Sequence, residues 1–354
     1  MKTIRDLELK GKRALLRCDL NVPLDEEGNI IDDFRIAASI PTIAYALKQQ
    51  ARVILLTHLG DPEGEMIVKL RVDKIQEKLF EYLDVSVTKA ADCIGKEIEQ
   101  WTLEMAPGEL LLLENVRFHK EEMLNDENFA KQLALLGDVF INDAFGVSHR
   151  AHASVAGIPK YLPSGIGLLF EKELHALHRL LENPKRPVVA IVGGKKVESK
   201  LSFINRIAGI ADVVLLGNLL AREALQTHLR WEHPEKIVVP VDGIPSNEQA
   251  LDIGPKTQDA FLEKIRNACT IFWAGPLGMT EEEKYAQGSL RVAEAIGKSN
   301  AFSIAGGGNL LAFLNAYHLR DHFYHVSTGG GAMLAFIVGE KLPGLEALHE
   351  YDGG

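Results

Sequence analysis

The sequence predicts an α/β protein of two lobes, each a parallel sheet flanked by helices, joined by a connecting helix. Two observations lead to this prediction. In both halves of the chain, short apolar runs alternate with amphipathic stretches, which is typical of parallel strands connected by helices. The chain has 354 residues, 46% of them hydrophobic, so it is also long enough for two domains with cores of their own.

In the first half, four apolar runs predict strands, and amphipathic segments between them predict helices. Apolar residues recur at helical spacing over 72–83. They do so again over 129–136, behind the capping pair Asn125-Asp126. The predicted strands are 14–21, 53–59, 110–116 and 139–144.

The second half repeats this scheme. Between the halves, Phe170, Leu174, Leu177 and Leu181 predict one helix. We expect it to end before Asn183-Pro184, because proline cannot continue a helix, and to connect the two lobes. The predicted strands of the second half are 188–192, 213–216, 237–241, 270–273, 302–305 and 325–328.

Composition argues against several classes of protein. No apolar run approaches the ~20 residues that a membrane helix needs, and the first residues are expected to lead directly into a strand rather than to form a signal sequence. We therefore expect a cytoplasmic protein. Cys18, Cys93 and Cys269 form no CxxC pair, so reduced thiols are favoured over disulfides or a metal site. A net charge of −10 argues against sequence-independent nucleic-acid binding.

Three glycine clusters each follow a predicted strand, at 193–194, 306–308 and 329–331. Glycine adopts positive φ at little cost and exposes bare N–H groups that can contact phosphates. One such cluster is usually a tight turn, whereas three in one half of the chain favour a nucleotide. Neither GxxxxGK[ST] nor GxGxxG occurs, which disfavours P-loop ATPases and dehydrogenases.

The first of these clusters leads into the lysine-rich segment 195–200. If a helix begins there, Lys196 and Lys200 share one face at positions i and i+4, beside the positive end of the helix dipole. The segment is then predicted to clamp phosphate.

The predicted strands of the first half end in polar residues, and ligands of parallel sheets bind beyond the carboxyl ends of the strands. Several arginines and histidines converge at this edge, and bidentate guanidinium groups suit carboxylate and phosphate. A small phosphorylated acid is the predicted ligand. His149 and His152 offer an alternative as metal ligands, but they have no evident third partner. The polar residues are Arg17, Asp19, Asn21, His58, Glu114, Asn115, Arg117, Asn142 and Asp143, with Arg35 and 149–152 in connecting segments.

Over nearly its whole length the chain resembles phosphoglycerate kinase. The resemblance rests on eight segments in the family's order, which are RCDLNVP at 17–23, DFRI at 33–36, HLG at 58–60, LENVRF at 113–118, NDAFG at 142–146, HRAHAS at 149–154, LDIGPKT at 251–257 and STGGGA at 327–332. It implies a 3-phosphoglycerate lobe at 1–168, a connecting helix at 169–186 that permits closure, a Mg-ATP or Mg-ADP lobe at 187–335, and a last segment, 336–354, that returns to the first lobe. The implied protein is a cytoplasmic monomer of glycolysis and gluconeogenesis, with no nucleic-acid or membrane partner.

The resemblance also implies roles for individual residues. Arg35 would stabilise the transferring phosphoryl group and Lys200 would follow it in flight, which makes these two the catalytic residues. Asn309 would contact nucleotide-bound Mg²⁺ weakly. The implied substrate-binding residues are Arg17, Asp19, Asn21, Arg35, His58, Arg117 and Arg150. The implied nucleotide-binding residues are Gly193, Gly194, Lys196, Lys200, Gly275, Pro276, Glu281, Gly306, Gly307, Gly308 and Asn309.

The chain departs from the family pattern at several positions. Asp61 stands where the family has arginine, and we expect it to face solvent or to pair with a cation such as Arg71. In the nucleotide lobe, Ala274 replaces asparagine, and Asn309 and Leu310 replace an aspartate and a hydroxyl residue. The segment 228–246 also looks shortened. Two hypotheses remain open, a working phosphoglycerate kinase and a catalytically impaired relative that binds a phospho-acid or nucleotide.

Overall fold

The computed structural model describes residues 1–195, 197–246 and 250–350. The chain divides into two compact units. One comprises residues 1–174 together with the segment that begins at Lys341, and the other comprises residues 175–340. Each unit contains a six-stranded parallel sheet flanked by helices, so the predicted fold class is confirmed.

The first sheet has the strand order β3-β4-β2-β1-β5-β6. Its strands are β1 (Arg13–Arg17), β2 (Arg52–Leu56), β3 (Val87–Lys89), β4 (Leu110–Leu112), β5 (Val139–Asn142) and β6 (Ser164–Ile166). The helices of this unit are α1 (Phe34–Lys48), α2 (Asp73–Tyr82), α3 (Lys96–Glu104), α4 (Lys120–Met123), α5 (Glu127–Ala134) and α13 (Pro343–Glu350), and α6 (Leu168–Leu181) begins in it.

All four strands predicted in this half are present, but each ends two to four residues earlier than predicted. The chain leaves the sheet where polar residues begin, and these residues form the loops at its carboxyl edge. The strands β3 and β6 were not predicted. Both lie at the edges of the sheet, where a strand needs no continuous apolar run.

The start of the chain differs from the prediction. Residues Ile4–Asp6 form a 3₁₀ turn rather than leading directly into a strand, and β1 begins only at Arg13. Thr3 and Asp6 form a capping box at this turn. The Thr3 side chain accepts the N–H of Arg5, and Asp6 Oδ2 accepts the N–H of Thr3.

The helix α6 contains the boundary between the two units, which falls after Leu174. The segment that begins at Lys341 belongs to the first unit. Gly344 anchors it there, since its N–H donates to the carbonyl of Ser148 at 2.9 Å and its carbonyl accepts from Asn142 Nδ2 at 3.3 Å. A Cβ at Gly344 would lie 2.5 Å from Val155 Cγ1, so the contact requires glycine.

The second sheet has the order β14-β13-β12-β7-β8-β9. Its strands are β7 (Val188–Val192), β8 (Val213–Leu216), β9 (Ile237–Val238), β12 (Thr270–Ala274), β13 (Phe302–Gly306) and β14 (His325–Val326), and β10 (Gly243–Ile244) and β11 (Asp252–Ile253) form a separate antiparallel pair. The helices are α7 (Leu201–Ile210), α8 (Asn218–Gln226), α9 (Pro255–Arg266), α10 (Gln287–Gly297), α11 (Gly308–Ala316) and α12 (Gly330–Val338).

All six strands predicted for the second sheet are present, and β7 and β8 have the predicted bounds. The pair β10–β11 was not predicted, because two-residue strands leave no periodic signal in the sequence. Within the described residues, no helix is both long enough and apolar enough to cross a membrane.

Candidate active site

Strand register brings the polar residues of the first unit to one edge of its sheet. Arg17, the last residue of β1, pairs with Leu56 of β2 and with Asn142 of β5. Asp19 and His58, two residues beyond these strand ends, therefore meet at the carboxyl edge, where parallel sheets bind ligands.

Asp19, Asn21 and Arg35 form one hydrogen-bonded group. Arg35, the second residue of α1, donates from Nη1 to Asp19 Oδ1 at 3.3 Å and to the carbonyl of Asn21 at 2.9 Å. Asn21 Oδ1 in turn accepts from Gly60 N at 2.8 Å. Asp19 is buried, whereas 28% of the Arg35 side chain is exposed. The guanidinium is thus anchored at one nitrogen and still reaches solvent.

Arg17 and His58 are buried side by side. Arg17 is 0% and His58 1% exposed, and Arg17 Nη2 lies 3.2 Å from His58 Nδ1. Burial, reinforced by the charges of Arg17, Arg117 and Arg35, holds the pKa of His58 well below its usual range, so this imidazole is neutral. Arg17 was predicted among the substrate-binding residues, and its guanidinium nitrogens contact Ser154, Cys18 and His58.

Arg117 is a buried cation with spare hydrogen-bonding capacity. Its Nη1 donates to the carbonyl of Gly60 at 2.7 Å, whereas its Nε has no hydrogen-bond partner among the described residues. Burial and the nearby charges of Arg17 and Arg150 lower its pKa. Cations that repel one another in this way favour an anionic ligand.

Asp61 pairs with a different cation from the one predicted. Its Oδ1 lies 3.7 Å from Arg117 Nη1 while the side chain remains 61% exposed. Arg71, the partner suggested by the sequence, instead contacts Asp73 at 3.2 Å and the buried Glu114 at 3.4 Å. Solvent exposure and the partial pairing together compensate the negative charge of Asp61.

Several of the other strand-end residues hold the fold together. Asp143 Oδ1 accepts the N–H groups of Leu169 and Phe170 and so caps α6. Asn115 Oδ1 accepts the N–H groups of Leu59 and Arg117, which shapes the turn that carries the Arg117 side chain. We assign these residues to shaping the site rather than to contacting a ligand.

The segment 149–152 carries the remaining cation of the cluster. Arg150 is exposed, and its Nε contacts His149 Nε2 at 3.3 Å. His152 is buried, and burial with the charges of Arg117 and Arg17 lowers its pKa to about 3. Among the described residues, neither histidine belongs to a group of three metal-ligating side chains, so the metal hypothesis gains no support.

Three such side chains do meet elsewhere in the first unit. Ligand atoms of Asp92, Cys93 and His119 lie within 4.8 Å of one another. His119 Nε2 and Asp92 Oδ1 are 2.6 Å apart, and this contact raises the pKa of His119. Burial raises the pKa of the Cys93 thiol well above its usual range, so it is protonated. We interpret the cluster as a hydrogen-bonded contact between Asp92 and His119 that holds the chain just after Arg117.

The second unit contains a cavity of about 340 Å³ at the carboxyl ends of its central strands. The turns after β7, β12 and β13 supply its glycines, and most of the predicted nucleotide-binding residues line it. Those that do are Gly194, Lys200, Gly275, Pro276, Glu281, Gly306, Gly307, Gly308 and Asn309.

Close backbone approach explains two of these turns. Gly193 N donates to the carbonyl of Ala274 at 2.9 Å, and a Cβ at Gly193 would lie only 1.9 Å from the carbonyl oxygen of Pro276. Gly275 has φ +80°, a conformation that side chains disfavour. The third glycine cluster stands beside the second, since a Cβ at Gly330 would lie 3.6 Å from Gly307 Cα.

In the described part of the lysine segment, residues Glu198–Lys200 form a 3₁₀ turn rather than the start of an α-helix, and α7 begins only at Leu201. Lys200 Nζ donates to the carbonyl of Gly193 at 2.7 Å, and burial lowers its pKa. Lys196 lies outside the described residues.

The residues of this unit that depart from the family pattern lie in different environments. Asn309 is the exposed second residue of α11 and lines the cavity, as does Ala274 at the end of β12. Leu310 is 0% exposed and belongs to the core cluster around Trp273. Leu310 therefore packs in the core, and its side chain is not among those that line the cavity.

Sequence reasoning missed the apolar walls of this cavity. Phe203, Leu219, Met279 and Leu334 line it, together with Val192 from the end of β7. These residues lie on helices and loops far apart in the chain, and apolar periodicity does not distinguish a residue facing a cavity from one facing the core.

The matching family model is "Phosphoglycerate kinase", which aligns with residues 4–230 and 224–340. The phosphoglycerate kinase of Pelotomaculum thermopropionicum is 41% identical over 388 residues, covering 98% of both chains. That alignment is longer than the 354 residues of this chain, so it contains gaps in this chain. The two segments that align with the family model overlap at 224–230, next to the segment 228–246 that looked shortened.

Solved structures give the same result. The phosphoglycerate kinase of Coxiella burnetii superimposes with a TM-score of 0.84 at 34% identity, covering 99% of this chain and 100% of that one. The enzyme from Pyrococcus horikoshii gives a TM-score of 0.88 at 32% identity, covering 99% and 98%. With identities above 30% over almost the entire length, the chain belongs to the phosphoglycerate kinase family.

Proposed function

We propose that this ATP-dependent phosphotransferase transfers a phosphoryl group reversibly between 1,3-bisphosphoglycerate with ADP and 3-phosphoglycerate with ATP. The observation that carries the proposal is the cationic cluster of the first unit. Arg35 and Arg150 reach solvent there, and the buried Arg117 has an Nε donor without a hydrogen-bond partner in the part of the chain that the structure describes. A phosphorylated carboxylic acid supplies the anionic oxygens that such donors require.

The two units take different parts of the reaction. Asp19, Asn21, Arg35, His58, Arg117 and Arg150 hold the phospho-acid in the first unit, with Arg17 behind them. Arg35 stabilises charge on the transferring group. In the second unit, the glycine turns leave room for the nucleotide's phosphates, and Lys200 exchanges its bond to the Gly193 carbonyl for one to phosphate. Phosphoryl transfer needs positioning and charge stabilisation more than covalent chemistry.

The nucleotide is proposed to bind as its magnesium complex. Mg²⁺ favours oxygen ligands, and bound nucleotide supplies most of these from its phosphates. Asn309, exposed at the cavity, offers one neutral oxygen. Bound Mg²⁺ would neutralise charge on the phosphates, while the protein's own residues would orient the nucleotide.

We further propose that the protein is a monomer that acts in the cytoplasm, in glycolysis and gluconeogenesis, without nucleic-acid or membrane partners. Its net charge of −10 supports the absence of a nucleic-acid partner. The alternative of an impaired binding protein is not favoured by any of the comparisons.

A coupled assay of ATP consumption with 3-phosphoglycerate tests the function. We expect turnover in the usual kinase range of ~1–100 s⁻¹.

Calorimetry should detect 3-phosphoglycerate binding, and Arg150→Ala should weaken it about ten- to a hundred-fold, the effect of losing a hydrogen bond to a charged group. Binding without turnover would instead favour the impaired relative, and no binding at millimolar ligand would contradict the substrate assignment.

Asp61→Asn is expected to tighten 3-phosphoglycerate binding. The carboxylate lies 3.7 Å from Arg117 Nη1 and competes with the anionic ligand for that cation. Because Asp61 is 61% exposed, solvent screens the pair, and the gain should be at most about 1 kcal/mol, or roughly fivefold in Kd. Calorimetry at low ionic strength measures the change.

Glu65→Gln provides the matched control for Asp61→Asn. It removes the same charge from an exposed position in the same loop and should leave Kd nearly unchanged. Equal effects of the two substitutions would attribute the gain to net charge and not to competition for Arg117.

Asn309→Asp is expected to strengthen magnesium–nucleotide binding, because a carboxylate brings a full charge to a hard cation. Its effect should lie on the nucleotide and not on the KM for 3-phosphoglycerate, since Asn309 belongs to the second unit. Leu310→Thr, in contrast, should destabilise the fold by burying a hydroxyl in the core. Steady-state kinetics at varied magnesium, with thermal melts of both variants, test the distinction, and an unchanged nucleotide KM in Asn309→Asp would show that another group holds the metal.

A further inference from the structure

A chain of buried polar side chains runs behind His58 in the first unit. Its members are Glu122 in α4, Ser154, Arg17 and His58, and none is more than 1% exposed. Neither Glu122 nor Ser154 belongs to the predicted site. Buried polar groups of this kind need a complete set of partners, because a buried donor or acceptor left unpaired is destabilising.

The direction of each hydrogen bond follows from the chemistry of its donor. Arg17 Nε lies 2.8 Å from Ser154 Oγ, and a guanidinium can only donate, so the hydroxyl accepts. Ser154 then directs its own proton to Glu122 Oε1 at 2.6 Å, and its backbone N–H donates to Glu122 Oε2 at 2.8 Å. Both oxygens of Glu122 thus fix Ser154, which in turn fixes Arg17.

The same reasoning sets the protonation of His58. Arg17 Nη2 points at His58 Nδ1 from 3.2 Å, so Nδ1 is an acceptor and carries no proton. The neutral imidazole must then carry its proton on Nε2. The remaining Arg17 nitrogen, Nη1, donates to the carbonyl of Cys18, so the guanidinium is held on three sides.

We infer that Glu122 and Ser154 are positioning residues for the phospho-acid site: through Arg17 they hold His58 as the Nε2–H tautomer. In this tautomer His58 presents a donor to an anionic ligand, whereas the Nδ1–H tautomer would present a lone pair. The inference rests on the proposed function only in taking that ligand to be 3-phosphoglycerate.

Glu122→Gln tests this chain of hydrogen bonds, because glutamine has almost the same shape as glutamate. If the amide oxygen accepts the Ser154 N–H, the amide nitrogen must donate to Ser154 Oγ, and the hydroxyl proton loses its acceptor. The substitution also removes a negative charge that raises the pKa of Arg17. Ser154→Ala removes the bridging hydroxyl and serves as the second variant. Glu121→Gln, the same substitution one residue earlier in α4, is the matched control.

The main readout is the ¹⁵N NMR signature of His58 in the ligand-free protein, assigned with His58→Gln. Wild type and Glu121→Gln should show a protonated Nε2 and an unprotonated Nδ1. Glu122→Gln and Ser154→Ala should show a new population with the proton on Nδ1, together with about tenfold or greater loss of 3-phosphoglycerate affinity. Thermal melts confirm that each variant is folded.

The inference is overturned if wild-type His58 carries its proton on Nδ1. It is also overturned if both variants keep a single Nε2–H tautomer and wild-type affinity. Because the tautomer is measured without ligand, a failure of the wild type to bind 3-phosphoglycerate would count against the proposed function and would be seen separately.

Discussion

Arg35→Ala is expected to lower kcat by about 10²–10³-fold, the usual effect of removing one preorganised donor from developing transition-state charge. Asp19 Oδ1 and the carbonyl of Asn21 hold Nη1 of this side chain, and 28% of the side chain remains exposed. The fold therefore fixes the guanidinium while leaving it able to reach a ligand. The loss should appear mainly in kcat and less in the Kd of 3-phosphoglycerate, because the charge it stabilises develops during transfer.

Two variants calibrate this result. Arg35→Lys keeps the charge but loses the planar fork, so we expect an intermediate kcat. Arg5→Ala removes an exposed arginine of the same unit that pairs with Glu171, and it should leave kcat unchanged. If kcat of Arg35→Ala stays within about threefold of wild type, less than about 0.7 kcal/mol of barrier, Arg35 has no catalytic role.

Gly193→Ala is expected to disrupt the second unit. The new Cβ would lie 1.9 Å from the carbonyl oxygen of Pro276 and 2.6 Å from that of Gly275, and backbone atoms cannot rotate away. The clash lies just beyond the neighbouring strands β7 and β12. We expect a loss of about 3 kcal/mol or more, at the upper end of overpacking effects. In a unit of this size that corresponds to roughly 6–12 °C in Tm, measured by scanning calorimetry.

Gly308→Ala is the matched control for Gly193→Ala. Gly308 lines the cavity, but a Cβ there would meet no atom within 4 Å, and the position begins α11. Thermal stability should stay the same or rise slightly, since alanine favours helix. Nucleotide affinity should fall about tenfold, or roughly 1.4 kcal/mol, because the methyl group occupies space proposed for phosphate. Unchanged nucleotide affinity would indicate that the phosphates do not bind at this turn.

The sequence by itself determined the fold class and most of the strands. Runs such as Val188–Val192 and Val213–Leu216 are buried on both faces of a parallel sheet, and that burial imposes a continuous apolar sequence with clear ends. The sequence also predicted that strand-end residues such as Asp19 and His58 lie at one edge of the sheet, because parallel strands bring their carboxyl ends together whatever the surrounding loops do. The edge strands β3 and β6 escaped prediction because one-sided pairing requires less apolar sequence.

Only the tertiary structure decided which polar residues are buried and which reach solvent. Arg17 and Arg35 are the same residue type in neighbouring segments, yet Arg17 is enclosed by a contact with Ser154, 137 residues away, whereas Arg35 reaches solvent. The pairing of Asp61 with Arg117 and the burial of Leu310 were settled in the same way. Local sequence fixes backbone preference and periodicity, but burial and charge pairing depend on which distant segments pack together, and no pattern along the chain records that.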